Sequence, residues 1–285
     1  MTKRAIFTAD DFGFDEAINE AVERAHRDGI LTSASLMVTA PAAADAIARA
    51  RRLPNLAVGL HLVLVQGEPA LPATDAAPLL GHDGAFLDSP AAAGVRYFFS
   101  PRARAALARE IRAQFEAFAR TGLPLDHVDG HTHLHIHPTI FSLLLEIGPE
   151  FGMRAMRVPY EPPSASVRAA QGGRLQRFAG SLAFAPWARH MRAELARRDI
   201  VSNDAIFGFH DSGRMVESLV VRQLETLAPD STTEFYCHPA VRKTEALARV
   251  MPTYRNVEEF AALQGPVLKE TLGRLDIKPV AFRDL

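Results

Sequence analysis

The stretch that decides the fold is RAIFTADDFGFDEAINEAVERAHRD, residues 4–28. An apolar run, RAIFTA at 4–9, ends in two aspartates. A helical pattern follows from about Asp15 to Asp28, in which Ala17, Ile18, Ala21, Val22 and Ala25 recur at three- and four-residue steps. Gly29 supplies a C-terminal stop. A short strand feeding an amphipathic helix is one βα unit, and a succession of such units builds a parallel sheet with helices packed on it.

The same alternation continues outward. Residues 31–38, 56–62 (LAVGLHL), 125–129, 156–158, 204–209, 233–237 and 279–282 read as strands, and 42–52, 101–121, 138–151, 216–227 and 267–275 as helices. The helix over 101–121 carries Leu107, Ile111, Phe115 and Phe118 on one face. Residues 66–100, rich in Gly, Pro, Ala and Asp, read as an irregular insertion over one end of the sheet, and 164–198 as a second irregular or helical excursion. Seven or eight strands predict a TIM-like (β/α) barrel, closed or nearly closed, with an open doubly wound sheet as the alternative.

The composition sets the outer limits. The chain has 285 residues, 48% of them hydrophobic and 23% charged, which is enough to bury one large core, so a single domain over 1–285 is expected. Lys+Arg 32 against Asp+Glu 33 leaves a net charge of -1, so no broad positive field gathers nucleic acid or anionic lipid, which argues against a nucleic-acid partner and leaves room only for a local patch. The only cysteine, Cys237, rules out an internal disulfide and a Cys-rich zinc site, which fits a reducing compartment. The apolar run before the first aspartate is too short for a signal-peptide core. Nowhere do about 18 apolar residues follow one another, so no transmembrane segment is expected and a cytoplasmic location is the simplest reading.

In a parallel α/β fold, reactive groups gather where strands end and loops begin. The unusual polar residues here fall at such places: Asp10 and Asp11, His61, the segment from His127 to His137, His210 and Asp211, and His238. An aspartate pair ordinarily caps a helix, but Asp15 stands closer to the helix start and is the better cap. Continued strand geometry sends the adjacent carboxylates to different sides, one to hold a metal and one left free as a base. In HVDGHTHLHIHP, His127, Asp129, His131, His133, His135 and His137 occupy every odd position, so an extended stretch lines them on one face. A catalytic site takes about three protein ligands and leaves a position open, so the remaining histidines orient ligands instead. A histidine in the apolar strand around His61 is ordinarily a core residue, yet Gly59 beside it lets another group approach closely, and a metal partner relieves the cost of burying imidazole. His238 in YCHP is a candidate proton donor, whereas Cys237 points the other way as packing.

TADDFG at 8–13, GLHL at 59–62, HVDGHTHLHIHP at 127–138, CHP at 237–239 and the terminal AFRDL together resemble the YdjC-like (ChbG-type) carbohydrate deacetylases, over nearly the whole chain. The resemblance implies a TIM-like barrel and one divalent ion held by Asp11, His61 and His131. Asp10 is then the general base, with His238 as acid. Asp129, His133, His135, Arg157, His210 and Asp211 are expected to bind substrate or orient the ligands. Magnesium is the ion the family implies, and two imidazoles with one carboxylate suit zinc, cobalt or nickel as well. The implied activity is removal of acetyl from an N-acetylglucosamine-type sugar.

The sequence, including FGFHDSGRM at 207–215, also resembles the subgroup associated with hopanoid biosynthesis, whose substrate is an N-acetylglucosaminyl lipid. For such a substrate, SLAFAPWARHMR at 181–192, with Phe184, Trp187, Arg189 and Arg192, offers a surface for transient membrane contact; an ordinary helix packing its aromatic face is the plainer account. Soluble acetylated chitobiose is the alternative substrate. A metal-dependent phosphoesterase or amidohydrolase is the alternative chemistry, and a binding protein without turnover the alternative class.

Overall fold

The computed structural model describes residues 2–170 and 172–285. Its strands are β1 (Lys3–Phe12), β2 (Ser33–Leu36), β3 (Ala57–Leu62), β4 (Val128–Gly130), β5 (Ala205–Phe207), β6 (Thr232–Cys237) and β7 (Ile277–Pro279). All pairings are parallel, in the order β4-β3-β2-β1-β6-β5, with β7 beside the start of β1. The central strand β1 is buried from Ala5 to Phe12, as a parallel sheet covered on both faces requires.

The helices are α1 (Glu16–Asp28), α2 (Ala43–Ala50), α3 (Ala73–Ala76), α4 (Pro90–Phe99), α5 (Pro101–Arg120), α6 (Pro138–Ile147), α7 (Pro163–Ala169), α8 (Arg174–Ala196), α9 (Glu217–Leu224), α10 (Glu245–Val250), α11 (Asn256–Gln264) and α12 (Pro266–Arg274). Asp15 caps α1 as the sequence indicates, its carboxylate accepting from the Ala17 amide. The 66–100 insertion is more ordered than its composition suggests. Ser89 caps α4 and Pro90 opens it, while the helix body lacks the period that would reveal it. The helices α10 and α11 also form outside the stretches that the sequence marks as helical.

The sheet is a curved, incomplete barrel. The expected strand over 156–158 does not form, and the edge strands β4 and β5 are linked through residues 155–160 by single contacts. Arg157 N donates to Val128 O (3.1 Å), Ile206 N donates to Tyr160 O (3.0 Å), and the Asn203 side chain bonds both polar groups of Val158. Pro159 and Pro162 lack an N–H, so this segment cannot supply a continuous ladder.

The segment 181–192 does not present its aromatic pair outward. Phe184 stacks on Phe209, and Trp187 packs against Phe141 while donating its indole N–H to Ile136 O (2.9 Å). Arg192 lies over the Tyr160 ring, which leaves Arg189 as the exposed cation. Among the described residues, no helix is long and apolar enough to cross a membrane.

Gly59 does make room for a neighbour: a β-carbon there would meet the His127 ring at 2.5 Å. That ring cannot retreat. It is bonded to Asp126 (2.9 Å) and Ser35 (3.0 Å) and stacked on Phe282. Gly59→Ala is therefore expected to cost about 1–3 kcal/mol through overpacking, read from the denaturant midpoint; an unchanged midpoint contradicts this packing.

Candidate metal centre

The end of β1 is bent out of strand geometry. Asp11 has φ 60, and the pairing with β2 slips between Ala9 and Phe12. A left-handed aspartate inside a strand acts as a bulge that re-aims its side chain. The strand alternation anticipated for the two carboxylates is thus broken, and Asp10 and Asp11 face one cavity. The turn is held by Phe14 N donating to Asp11 O (3.0 Å) and by the Asn19 side chain accepting from Gly13 N (2.8 Å).

β3 and β4 supply the next two groups in register, with His61 opposite Asp129. His61 Nδ1 lies 2.8 Å from Asp129 Oδ1, so its Nε2 faces Asp11 Oδ1 at 3.3 Å. His131, just past β4, brings Nδ1 to 3.0 Å from the same oxygen. The buried Asp11 Oδ2 has no hydrogen-bond partner among the described residues, and His238 Nε2 stands 3.9 Å from it.

Asp10 is not free. Both its oxygens accept from Arg157 at 2.8 Å, and that guanidinium also meets Asp129 Oδ2 (2.7 Å) and Glu234 (2.8 and 3.0 Å). Arg157 is fully buried and lies beneath the Tyr236 ring.

The histidine-rich segment does not stay extended, because Thr132 and His133 turn into left-handed conformations, φ 51 and φ 56, and the rings disperse. His131 and His133 line the cavity, with His133 bonded to Tyr236 OH (3.0 Å). His135 is buried behind it, its Nε2 against Arg157 O (3.1 Å). His127 lies under Gly59, and His137 beside Gly94 and Phe98. His210 and Asp211 turn away from the cavity, His210 to Ser181 (3.1 Å) and Asp211 to Arg177 (2.6 Å).

The cavity, about 500 Å³, is walled by Phe14, Phe209, Tyr236 and Tyr254, with Gln66 and Asp88 contributed by the 66–100 insertion. Sequence reasoning missed these residues, and it missed Glu234. An acid alternating with Tyr236 and His238 along an apolar strand was the available signal for Glu234.

Electrostatics follow from burial. Burial alone would raise the Asp11 carboxyl, but His131 and His61 hold it well below the usual carboxylate range. Asp129 is likewise held low, against burial, by Arg157 and His61. Burial pushes His133 down, and His135 down to about 4, so both are neutral. At His61 the balance reverses: burial opposes its charge, yet Asp129 and Asp11 outweigh that and raise it to about 10.

Among the described residues, two donor sets bring their atoms within 4.8 Å of one another, Asp11–His61–His131 and Asp10–His61–Asp129. In the second, Arg157 already occupies both Asp10 oxygens and one of Asp129. The first retains the unpartnered Asp11 Oδ2, a mixed nitrogen–oxygen donor set suited to a divalent ion. Three buried carboxylates around one guanidinium, with the buried Asp11 beside them, also leave the pocket short of positive charge.

An Asp–His–His donor set at the carboxyl ends of a curved parallel sheet defines an α/β protein with an incomplete barrel and a candidate single-cation site. More particularly, the chain belongs to the YdjC-like protein family, whose model matches residues 4–274. It is 28% identical over 285 residues to a carbohydrate deacetylase of Geobacillus stearothermophilus, covering 100% of this chain and 98% of that one. A carbohydrate deacetylase of Vibrio vulnificus (strain YJ016) is 29% identical over 282 residues, covering 99% and 96%. The fold is shared with a crystallised Enterococcus faecalis protein described as a candidate cellobiose-phosphate cleavage protein (TM-score 0.76, 21% identity, 100% of this chain and 99% of that one).

Without a cation, the His61 charge contributes to stability. Its folded value, about 10, lies above the ordinary 6.5, so the contribution is complete below 6.5 and lost as pH rises through about 10. Chelator-treated protein is expected to lose melting temperature from about pH 7 to about pH 10 more steeply than His61→Gln does. Parallel profiles would contradict the charged imidazole.

Proposed function

We propose that this chain is a metal-dependent hydrolase that removes the acetyl group from an N-acetylglucosamine-type sugar. The observation that carries the reading is the division of labour between adjacent carboxylates: Asp11 joins the imidazoles of His61 and His131, while Arg157 clamps Asp10 in the same cavity wall. The full-length relatives named carbohydrate deacetylases support the substrate class.

Asp11, His61 and His131 would hold one divalent ion, magnesium by family resemblance or zinc, cobalt or nickel by donor chemistry. Such an ion, when bound, polarises the amide carbonyl and makes water more acidic. The chain's own groups do the rest. Asp10 keeps unused lone pairs despite Arg157 and takes the proton of water as its oxygen attacks the carbonyl carbon. His238 delivers a proton to the departing nitrogen as the C–N bond breaks, leaving acetate and a free amine. Its backbone is fixed for this role by Glu259, which accepts from His238 N (2.7 Å), and by Asn256, which donates to His238 O (2.7 Å). Phe14, Phe209, Tyr236 and Tyr254 offer flat apolar faces to a sugar ring.

The acceptor implied by the subgroup resemblance is an N-acetylglucosaminyl hopanoid, and acetylated chitobiose is the soluble competitor. A two-ion phosphoesterase is disfavoured, because Arg157 occupies the oxygens a second ion would need.

The test is acetate release from both substrates, with and without chelator. Asp10→Asn is expected to lower kcat by about 10²–10⁴-fold while cation binding by calorimetry is unchanged, since asparagine still accepts from Arg157. His238→Gln is expected to lower kcat about 100-fold with little change in KM. Full activity in Asp10→Asn would overturn the mechanism, and activity on chitobiose alone would overturn the lipid acceptor.

A further inference from the structure

A second cavity of about 530 Å³ lies on the other side of the 209–214 loop and takes no part in the chemistry above. Its wall carries Arg177, Arg214, Arg222 and Arg255, with Asp211 as the one carboxylate among its lining residues. In a chain of net charge -1, four guanidiniums in one hollow are a local concentration of positive charge.

Arg177 is largely spent, donating to Asp211 (2.6 Å) and standing 3.8 Å from the buried Glu161. The other three are not. Among the described residues each guanidinium makes one hydrogen bond, Arg214 to His210 O (3.1 Å), Arg222 to Ala169 O (2.9 Å) and Arg255 to the Glu258 carboxylate (3.2 Å), while Arg214 also stands 3.9 Å from Asp211. Two of these acceptors are neutral carbonyls, so guanidinium edges remain to receive an oxyanion, and planar guanidinium forks match phosphate geometry. The volume exceeds that of a bare phosphate and leaves room for an attached organic group.

The hollow is mechanically joined to the first cavity. Phe209 and Ser212 line the first, while His210, Asp211 and Arg214 line the second. Gly213 presses on Tyr254, where a β-carbon would meet the ring at 2.2 Å, and Arg255 N donates to Gly213 O (2.7 Å). Ser212 Oγ bonds Tyr254 OH (2.9 Å), and the Tyr254 ring packs on His238 at 4.9 Å between centroids. Arg214 and Arg255 therefore directly follow the two residues of this contact.

We propose that the arginine-lined hollow is a binding site for a phosphate or phosphoester, and that an anion bridging Arg214 and Arg255 holds Tyr254 against His238. The anion has two possible sources of the same chemistry. Free phosphate compounds are one; the other is a phospholipid headgroup, for which the first turns of α8 expose Leu175 (82%), Phe178 (46%) and Leu182 (57%). The site is independent of the deacetylase reading, and its test measures binding and hydrogen exchange rather than turnover.

The full chain is titrated calorimetrically with inorganic phosphate, and separately sedimented with phosphatidylcholine vesicles with and without phosphatidylglycerol. Binding to either phosphate or the phosphatidylglycerol vesicles is expected. The double variant Arg214→Gln/Arg222→Gln is expected to weaken that binding at least about tenfold, while Arg112→Gln, a distant exposed arginine paired with Glu150, leaves it unchanged. Saturable phosphate binding assigns a soluble ligand, and binding confined to phosphatidylglycerol vesicles assigns the headgroup; both uphold the site. Binding to neither, or equal loss in both variants, overturns it. If the double variant melts lower, Arg214→Gln alone, at an exposed side chain, decides by the same criterion. Hydrogen exchange of the Arg255 amide is expected to slow severalfold when the site is filled, and unchanged exchange overturns the link to Tyr254.

Discussion

Arg157 is a fully buried cation ringed by Asp10 from β1, Asp129 from β4 and Glu234 from β6. Everything else at the site depends on this arrangement. A buried guanidinium needs carboxylates, and buried carboxylates need a cation, so each strand end is fixed by the others. Removing Arg157 would strand three acids in the interior, a loss on the order of 3–5 kcal/mol even with no change in packing. Asp129 passes the constraint on to His61, which it orients through Nδ1. Thr8 completes the ring by donating to Glu234 (2.7 Å).

The acids outnumber the guanidinium, and that imbalance shapes the candidate cation site. Asp11 remains outside the Arg157 ring, with one oxygen shared by two imidazoles and the other unpartnered. Raising the His61 imidazole is the protein's own way to supply the missing charge, at the expense of the lone pair a cation would use. Cation and proton therefore compete for one pocket.

The sequence disclosed the elements that local chemistry governs. Asp15 as the α1 cap, the strand–helix alternation and the collection of polar groups at strand ends were all legible, because each follows from periodicity or capping within a few residues. Features that tertiary contacts impose were not. Asp11 takes a left-handed backbone only because the turn through Gly13 and Asn19 holds it there, so strict alternation misplaced its side chain. The odd-numbered histidines promised one face, but the turn at Thr132 and His133 gave them different surroundings. Arg157 lies in a segment that reads as an ordinary strand, and its role emerges only once three distant acids meet it. The incomplete barrel has a similar origin, since prolines at 159 and 162 break the ladder where closure would occur.

The most direct measurement of the central claim is the crystal structure of the zinc-loaded protein, with the ion located by anomalous scattering. The account predicts a single ion about 2.0–2.2 Å from Asp11, His61 and His131, with Asp10 still paired to Arg157 and off the metal. An ion held by Asp10 and Asp129 with Arg157 displaced, or two ions bridged by a carboxylate, would contradict it.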